Sequence, residues 1–136
     1  MALPSVPAVL LDTSVVIDIE KVDRAEYSDS VAVISAITVA ELAYGIGDPG
    51  GDARSARFRQ VLTGYEILSF GVEEAKIYGV LAALVRAAGH NPRPRRMDLQ
   101  IAATAAAARL PLLTMNPRDL LGLAAMVDVV PIRYAA

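Results

Sequence analysis

Four acidic residues carry most of the chemical information in this sequence. Asp12 closes the apolar run Ala8-Val9-Leu10-Leu11, and Glu41 lies one to two turns into the segment that follows Val31-Ala32-Val33-Ile34. Asp98 opens an alanine-rich stretch, and Asp119 ends the loop after Leu112-Leu113-Thr114. In an open parallel sheet, ligands sit beyond the carboxyl ends of the strands, so acids just past strand ends or near helix starts can converge on one crevice. Crowded carboxylates raise one another's pKa and call for a cation. Cysteine is absent and His90 is the only histidine, which excludes thiolate and multi-histidine zinc sites within one chain. Oxygen ligands remain, suited to Mg²⁺ or Mn²⁺, with one or two ions per site. Such a centre acidifies a water and stabilises a leaving oxygen, the requirements of phosphodiester hydrolysis. Phosphoryl transfer depends on positioning and charge stabilisation, so it needs no catalytic His, Cys or Lys.

Each acid also has a plain structural explanation. Asp12 and Asp119 could be helix caps, and Asp98 could complement the positive end of its helix. Glu41 is harder to explain as surface, because Val39, Ala40, Leu42 and Ala43 around it predict burial, and buried acids need a partner or a metal.

The elements that must position these residues follow from hydrophobic pattern. Short continuous apolar runs predict buried strands at 8–11, 31–34 and 112–114, with 65–70 and 127–132 completing the set. Helices are expected over 14–20, capped by Thr13 or Ser14, within 18–30 as a short helix with its loop, and over 39–46 after the helix-start residues Ser35 and Thr38. Further helices are expected over 54–62, 72–88 and 97–110. Gly47-Asp48-Pro49-Gly50-Gly51-Asp52 reads as a turn, Gly89 as a helix C-cap, and 90–96 as a Pro- and Arg-rich loop. Alternation of strands and helices predicts an α/β fold with a mostly parallel sheet covered on both faces.

The chain has 136 residues, 24 of them alanine, with 54% hydrophobic residues. That is one domain's worth: a Pro-stiffened lead-in over 1–7 and a single domain over 8–134. No apolar run approaches the roughly 18 residues of a membrane span, and the opening residues lack the pattern of a secretory signal. Lack of cysteine fits a cytoplasmic setting.

The net charge of −2 argues against a generic nucleic-acid coat, but its distribution is uneven. Residues 1–52 hold nine acids against Lys21 and Arg24, whereas 86–96 holds Arg86, Arg93, Arg95 and Arg96 and no acid. Arg93, Arg95 and Arg96, just before Asp98, and Arg118, beside Asp119, are candidate contacts for the flanking phosphates of a polyanion; solvated loop tips are the alternative. His90 reads as a loop residue, and the five tyrosines and two phenylalanines are too dispersed for a base-stacking platform.

Four segments resemble one family. Leu10-Leu11-Asp12-Thr13-Ser14-Val15-Val16-Ile17 looks like the opening motif of PIN-domain nucleases, and Ile34-Ser35-Ala36-Ile37-Thr38-Val39-Ala40-Glu41-Leu42 resembles their second acidic motif. Met97-Asp98-Leu99-Gln100-Ile101-Ala102-Ala103-Thr104-Ala105 resembles the third, and Leu112-Leu113-Thr114-Met115-Asn116-Pro117-Arg118-Asp119-Leu120 the fourth. The match spans 8–132, and its flavour is most similar to VapC, the toxin of bacterial toxin–antitoxin pairs. The resemblance implies a three-layer PIN-like fold with four or five strands and a Mg²⁺- or Mn²⁺-dependent endoribonuclease inhibited by a VapB-type antitoxin. It implies metal-ligand or orienting roles for Asp12, Glu41, Asp98 and Asp119, and supporting roles for Thr13, Ser14, Thr114 and Asn116. Many relatives carry an acid where Asn116 stands, so either Asp119 or Asn116 completes the site. The resemblance also implies a homodimer; internal packing is the alternative use of the alanines at 102–108.

A non-catalytic PIN-like module that binds RNA or protein is the competing reading. A dehalogenase-type phosphatase would need a second Asp where Ser14 stands, and a dinucleotide-binding domain would need glycines in the turn after the first strand.

Overall fold

The computed structural model describes residues 7–46 and 51–136. Residues 1–6 of the lead-in and 47–50 of the expected turn lie outside the described residues. The first half runs β1 (Ala8–Leu11), α1 (Thr13–Ile17), β2 (Val22–Asp23), β3 (Val31–Ser35), α2 (Ala36–Gly45) and α3 (Gly51–Gly64). The second half runs β4 (Glu66–Leu68), α4 (Val72–Ala87), α5 (Arg96–Ala108), β5 (Leu112–Thr114), β6 (Val129–Pro131) and β7 (Arg133–Tyr134).

Five strands form one parallel sheet in the order β4-β3-β1-β5-β6, within the expected range. Strand β1 is central, with Leu10 opposite both Val33 and Leu112. Its unbroken apolar sequence is what a strand buried on both faces requires. Leu10, Val33 and Leu112 pack against Leu81 and Val85 of α4 and Leu99, Ile101 and Ala102 of α5. Val9, Leu11, Ile34 and Leu113 turn to the other face, where Val15 and Val16 of α1 and Val61 of α3 cover them. These are the three expected layers. Ala102, Ala103 and Ala105 are fully buried, so the small side chains of α5 serve the interior.

Chain order reverses at β1. The path leaves it for β3 and β4 on one side, then crosses back to β5 and β6 on the other. Such a switch point opens a crevice at the strands' carboxyl ends, where Asp12, Ser35 and Thr114 stand.

Several local expectations need correction. The segment 18–30 holds no α-helix: Val22 and Asp23 pair antiparallel with Tyr134 and Arg133, and a single 3₁₀ turn covers Ala25–Tyr27. The Asp23 carboxylate accepts the Ala25 N–H at 2.8 Å, and Ala25 takes a φ of +48°. That local bond competes with helix formation. Helix α1 starts at Thr13 and is capped by Asp12, not by Thr13 or Ser14. Gly51 and Asp52 belong to the start of α3 rather than to a turn. Helix α5 ends at Ala108, where Arg109 adopts φ +57° and the Leu110 N–H closes back on Ala105. Gly89 ends α4 as expected, with φ +85°. Burial around Glu41 is also less than expected. Of α2 only Thr38 is buried, Ala40 and Ala43 are exposed, and Tyr44 is 86% exposed.

Candidate metal centre

The site is organised by where hydroxyl protons point. Asp12 is 5% exposed. Its Oδ1 accepts the Thr13 N–H at 2.9 Å, while Oδ2 accepts the Ser14 hydroxyl at 2.9 Å and the Thr114 hydroxyl at 2.8 Å. Both hydroxyls are held from behind: the Met115 N–H donates to Ser14 Oγ at 3.2 Å and the Asn116 N–H to Thr114 Oγ1 at 3.0 Å. A carboxylate has about four lone-pair sites. Three are taken, and Oδ1 keeps one free.

Glu41 is fixed from the same turn. Thr13 Oγ1 donates to Glu41 Oε1 at 2.8 Å, and a hydroxyl has one proton, so Thr38 Oγ1 must be the donor in its 2.9 Å contact with Thr13. Thr38, read from sequence as a helix-start residue, is thus part of the site. One step further back, the Thr104 hydroxyl donates to the Gln100 carbonyl, so Ser35 donates to Thr104 at 3.0 Å while accepting the Ile37 N–H as the cap of α2. This second chain ties α2, which bears Glu41, to α5, which bears Asp98. In the sequence Ser35 and Thr38 signalled only helix-start chemistry, and Thr104 only a polar residue in an alanine-rich stretch.

Asp98 lies in the first turn of α5 and makes no side-chain hydrogen bond among the described residues. Its carboxyl is pushed up to about 7, first by burial, then by repulsion from Asp12, Asp119 and Glu41, with Arg95 opposing. Glu41 is also raised, by burial first and by Asp12, against the Thr13 hydrogen bond. The four acids therefore share one electrostatic neighbourhood. Asp119 occupies the 3₁₀ turn Pro117–Leu120, with its Oδ1 3.9 Å from Arg95 Nε. Asn116 is exposed and contributes its backbone N–H to Thr114.

The arginines separate. Arg95 faces the acids, and its buried Nη1 has no partner. Arg93 and Arg96 line a different cavity, together with Arg86. Arg118 is exposed on the turn that carries Asp119.

The donors present are carboxylate, hydroxyl and amide oxygens, the set a hard cation takes. Among the described residues, no three acidic side chains already stand as a cage around one ion. Mg²⁺ does not demand a cage, since it keeps several waters and is held by one or two carboxylates. The free lone pair of Asp12 and the uncompensated charge around Asp98 fit that mode.

Comparison with curated proteins finds no significant match. Among solved structures, VapBC-5 of Mycobacterium tuberculosis, a member of the VapBC family of toxin–antitoxin systems, is similar at 27% identity and a TM-score of 0.69. The alignment covers 93% of this chain and 98% of that one. FitAcB of Neisseria gonorrhoeae is similar at 28% identity and a TM-score of 0.68, covering 89% and 95%. VapBC-1 of nontypeable Haemophilus influenzae shares the fold at 21% identity, with a TM-score of 0.72 and coverage of 91% and 97%. The family model described as PIN domain matches residues 9–124, and this chain therefore belongs to the PIN-domain family.

Proposed function

We propose that this PIN domain is a Mg²⁺- or Mn²⁺-dependent endoribonuclease, the toxin of a VapBC-type pair. It acts in the cytoplasm as a homodimer and is held inactive by a VapB-type antitoxin. The observation that carries the catalytic reading is Asp98, whose carboxyl meets burial and three other acids with only Arg95 to offset them. Evolution of a surface purely for stability would not retain such mutual repulsion. Likeness to VapBC structures over about nine-tenths of the chain supports the toxin and antitoxin parts.

Asp12, Glu41 and Asp98 would hold the ion, with Asp119 or Asn116 completing the shell. When bound, the cation supplies charge neutralisation and a water of lowered pKa. The chain's own residues supply orientation. Thr13 N, Ser14 and Thr114 fix both Asp12 oxygens, and Thr38 through Thr13 aims Glu41 at the same place. Arg95, 3.9 Å from Asp119, would offer its guanidinium to negative charge developing on a phosphate held at the acids.

The test is cleavage of RNA by purified protein with Mg²⁺, Mn²⁺ or EDTA, alongside Asp12→Asn. Cleavage only with metal and none by the variant is expected; equal cleavage by both would refute the reading. Co-expression should recover a small bound protein, and expression alone should arrest growth. The lack of a preformed three-acid cage favours one competitor, a non-catalytic PIN-like binding module. That competitor predicts RNA binding without cleavage under every metal condition.

A further inference from the structure

The arginine-rich segment before Asp98 divides into two functions, and the geometry of a single 3₁₀ turn does the dividing. Residues 93–95 form that turn, with the Arg96 N–H bonded back to the Arg93 carbonyl. At three residues per turn, side chains i and i+3 eclipse. Arg93 and Arg96 therefore fall on one side and Arg95 on another. Pro92 and Pro94 restrict φ and stiffen the arrangement.

Arg95 turns to Asp119 and lowers the carboxyl of Asp98. Arg93 and Arg96 instead line a cavity of about 480 Å³ whose walls also include Arg86, Asn91, Pro92 and Tyr78. Arg86 comes from the last turn of α4, Arg93 from the 3₁₀ turn and Arg96 from the start of α5, so the three arginines come from three elements. No acid lines the cavity, and none of the three makes an ion pair among the described residues. Three exposed arginines around one hollow without an acid in its lining make a locally cationic surface in a chain of net charge −2, chemistry suited to a polyanionic ligand.

We propose that this cavity is a backbone subsite for single-stranded RNA, holding phosphates on one side of the bond presented to the acid centre. The inference rests on the nuclease reading for its ligand but not for its geometry. One short turn carries both Arg95, which reaches Asp119, and Arg93, which lines the cavity, so the cavity and the acids flank the same turn. Guanidinium forks match phosphate oxygens without reading sequence. Tyr78, half-buried in the same wall, adds an aromatic surface of the kind on which a base can rest. The subsite thus fixes the register of the strand rather than the identity of the base.

The experiment is fluorescence anisotropy of a labelled mixed-sequence single-stranded RNA, titrated at several salt concentrations with Ca²⁺ replacing Mg²⁺. Wild type is compared with Arg86→Gln, Arg93→Gln and Arg96→Gln, and with Arg109→Gln at the far end of α5. Each cavity variant should weaken binding by about 3- to 10-fold regardless of RNA sequence, and flatten the log–log salt slope by about 0.7 for each phosphate no longer neutralised. Arg109→Gln should change affinity by less than about 2-fold, since it removes equal charge without touching the cavity. Unchanged slopes in the cavity variants, or an equal loss for Arg109→Gln, would overturn the proposal. Cleavage assays on the same proteins separate the two ideas. RNA bound through the cavity but never cut would refute the nuclease reading alone; RNA cut with wild-type slopes in all three variants would refute the subsite alone.

Discussion

Replacing Asp98 by Asn should stabilise the metal-free protein at alkaline pH, although it removes a proposed metal ligand. Folding raises this carboxyl from an ordinary 3.8 to about 7, chiefly by burial and then by Asp12, Asp119 and Glu41. Between those values the folded state binds a proton that the unfolded state has released. Stability therefore falls as pH rises through the window, the penalty is full above about 7, and it vanishes below about 4. Unscreened, the ionised form would cost about 4 kcal/mol at 1.36 kcal/mol per pKa unit. The side chain is partly open to water, so screening reduces this to about 1–2 kcal/mol. For a chain of this size that corresponds to a Tm about 3–8 °C higher for Asp98→Asn at pH 8. The assay is thermal or urea denaturation in EDTA at pH 4.5, 6 and 8. The advantage of Asp98→Asn should be near zero at pH 4.5 and grow with pH. Adding Mg²⁺ at pH 8 should stabilise the wild type and narrow the gap. An advantage independent of pH, or a variant less stable than wild type at pH 8, would refute the electrostatic account.

Other substitutions probe the scaffold. Thr114→Val leaves Asp12 Oδ2 with one donor fewer and strips the Asn116 N–H of its acceptor, a loss of about 1–3 kcal/mol by urea denaturation and a large fall in cleavage rate. Ser35→Ala removes the α2 cap and its link to Thr104, costing about 1 kcal/mol in the same assay. Gly122→Ala should cost at least about 1 kcal/mol by thermal denaturation, because the residue sits at φ +90° and its new Cβ would come within 3.2 Å of Ala88 Cβ. Arg95→Gln removes the one cation that offsets Asp98, so NMR titration of the metal-free protein should show that carboxyl moving further up.

Much of the fold was legible because parallel strands buried on both faces leave an unmistakable mark. Ala8–Leu11 and Leu112–Thr114 are short apolar runs that end at polar residues, and those ends are where Asp12 and Thr114 meet. Some failures were local, such as the Asp23–Ala25 bond and the Asp12 cap of α1, and others depended on distant parts of the chain. Val22 and Asp23 form a strand only because Tyr134 and Arg133 pair with them. Glu41 sits among apolar neighbours, yet α2 leaves several of them exposed. The acids and the supporting candidates Thr13, Ser14 and Thr114 could be named from the sequence, but which oxygen each hydroxyl serves, and the parts played by Thr38 and the Ser35–Thr104 pair, needed the folded arrangement. Likewise, Arg93, Arg95 and Arg96 look equivalent in sequence, and only the turn that contains them sends Arg95 one way and its neighbours another.

The bond from Thr114 to Asp12 joins residues 102 positions apart, and that span has a consequence for the order of synthesis. Chains emerge amino end first, so the strand that carries Asp12 exists long before β5, the neighbour that anchors its carboxylate. Glu41 can be aligned early through Thr13 and Thr38, whereas Asp12 waits for β5. A fragment released before β5 is made holds Asp12 and Glu41 but lacks the Thr114 hydroxyl that anchors Asp12. For a protein proposed to cut RNA, assembly of the acid centre is deferred until β5 has been synthesised.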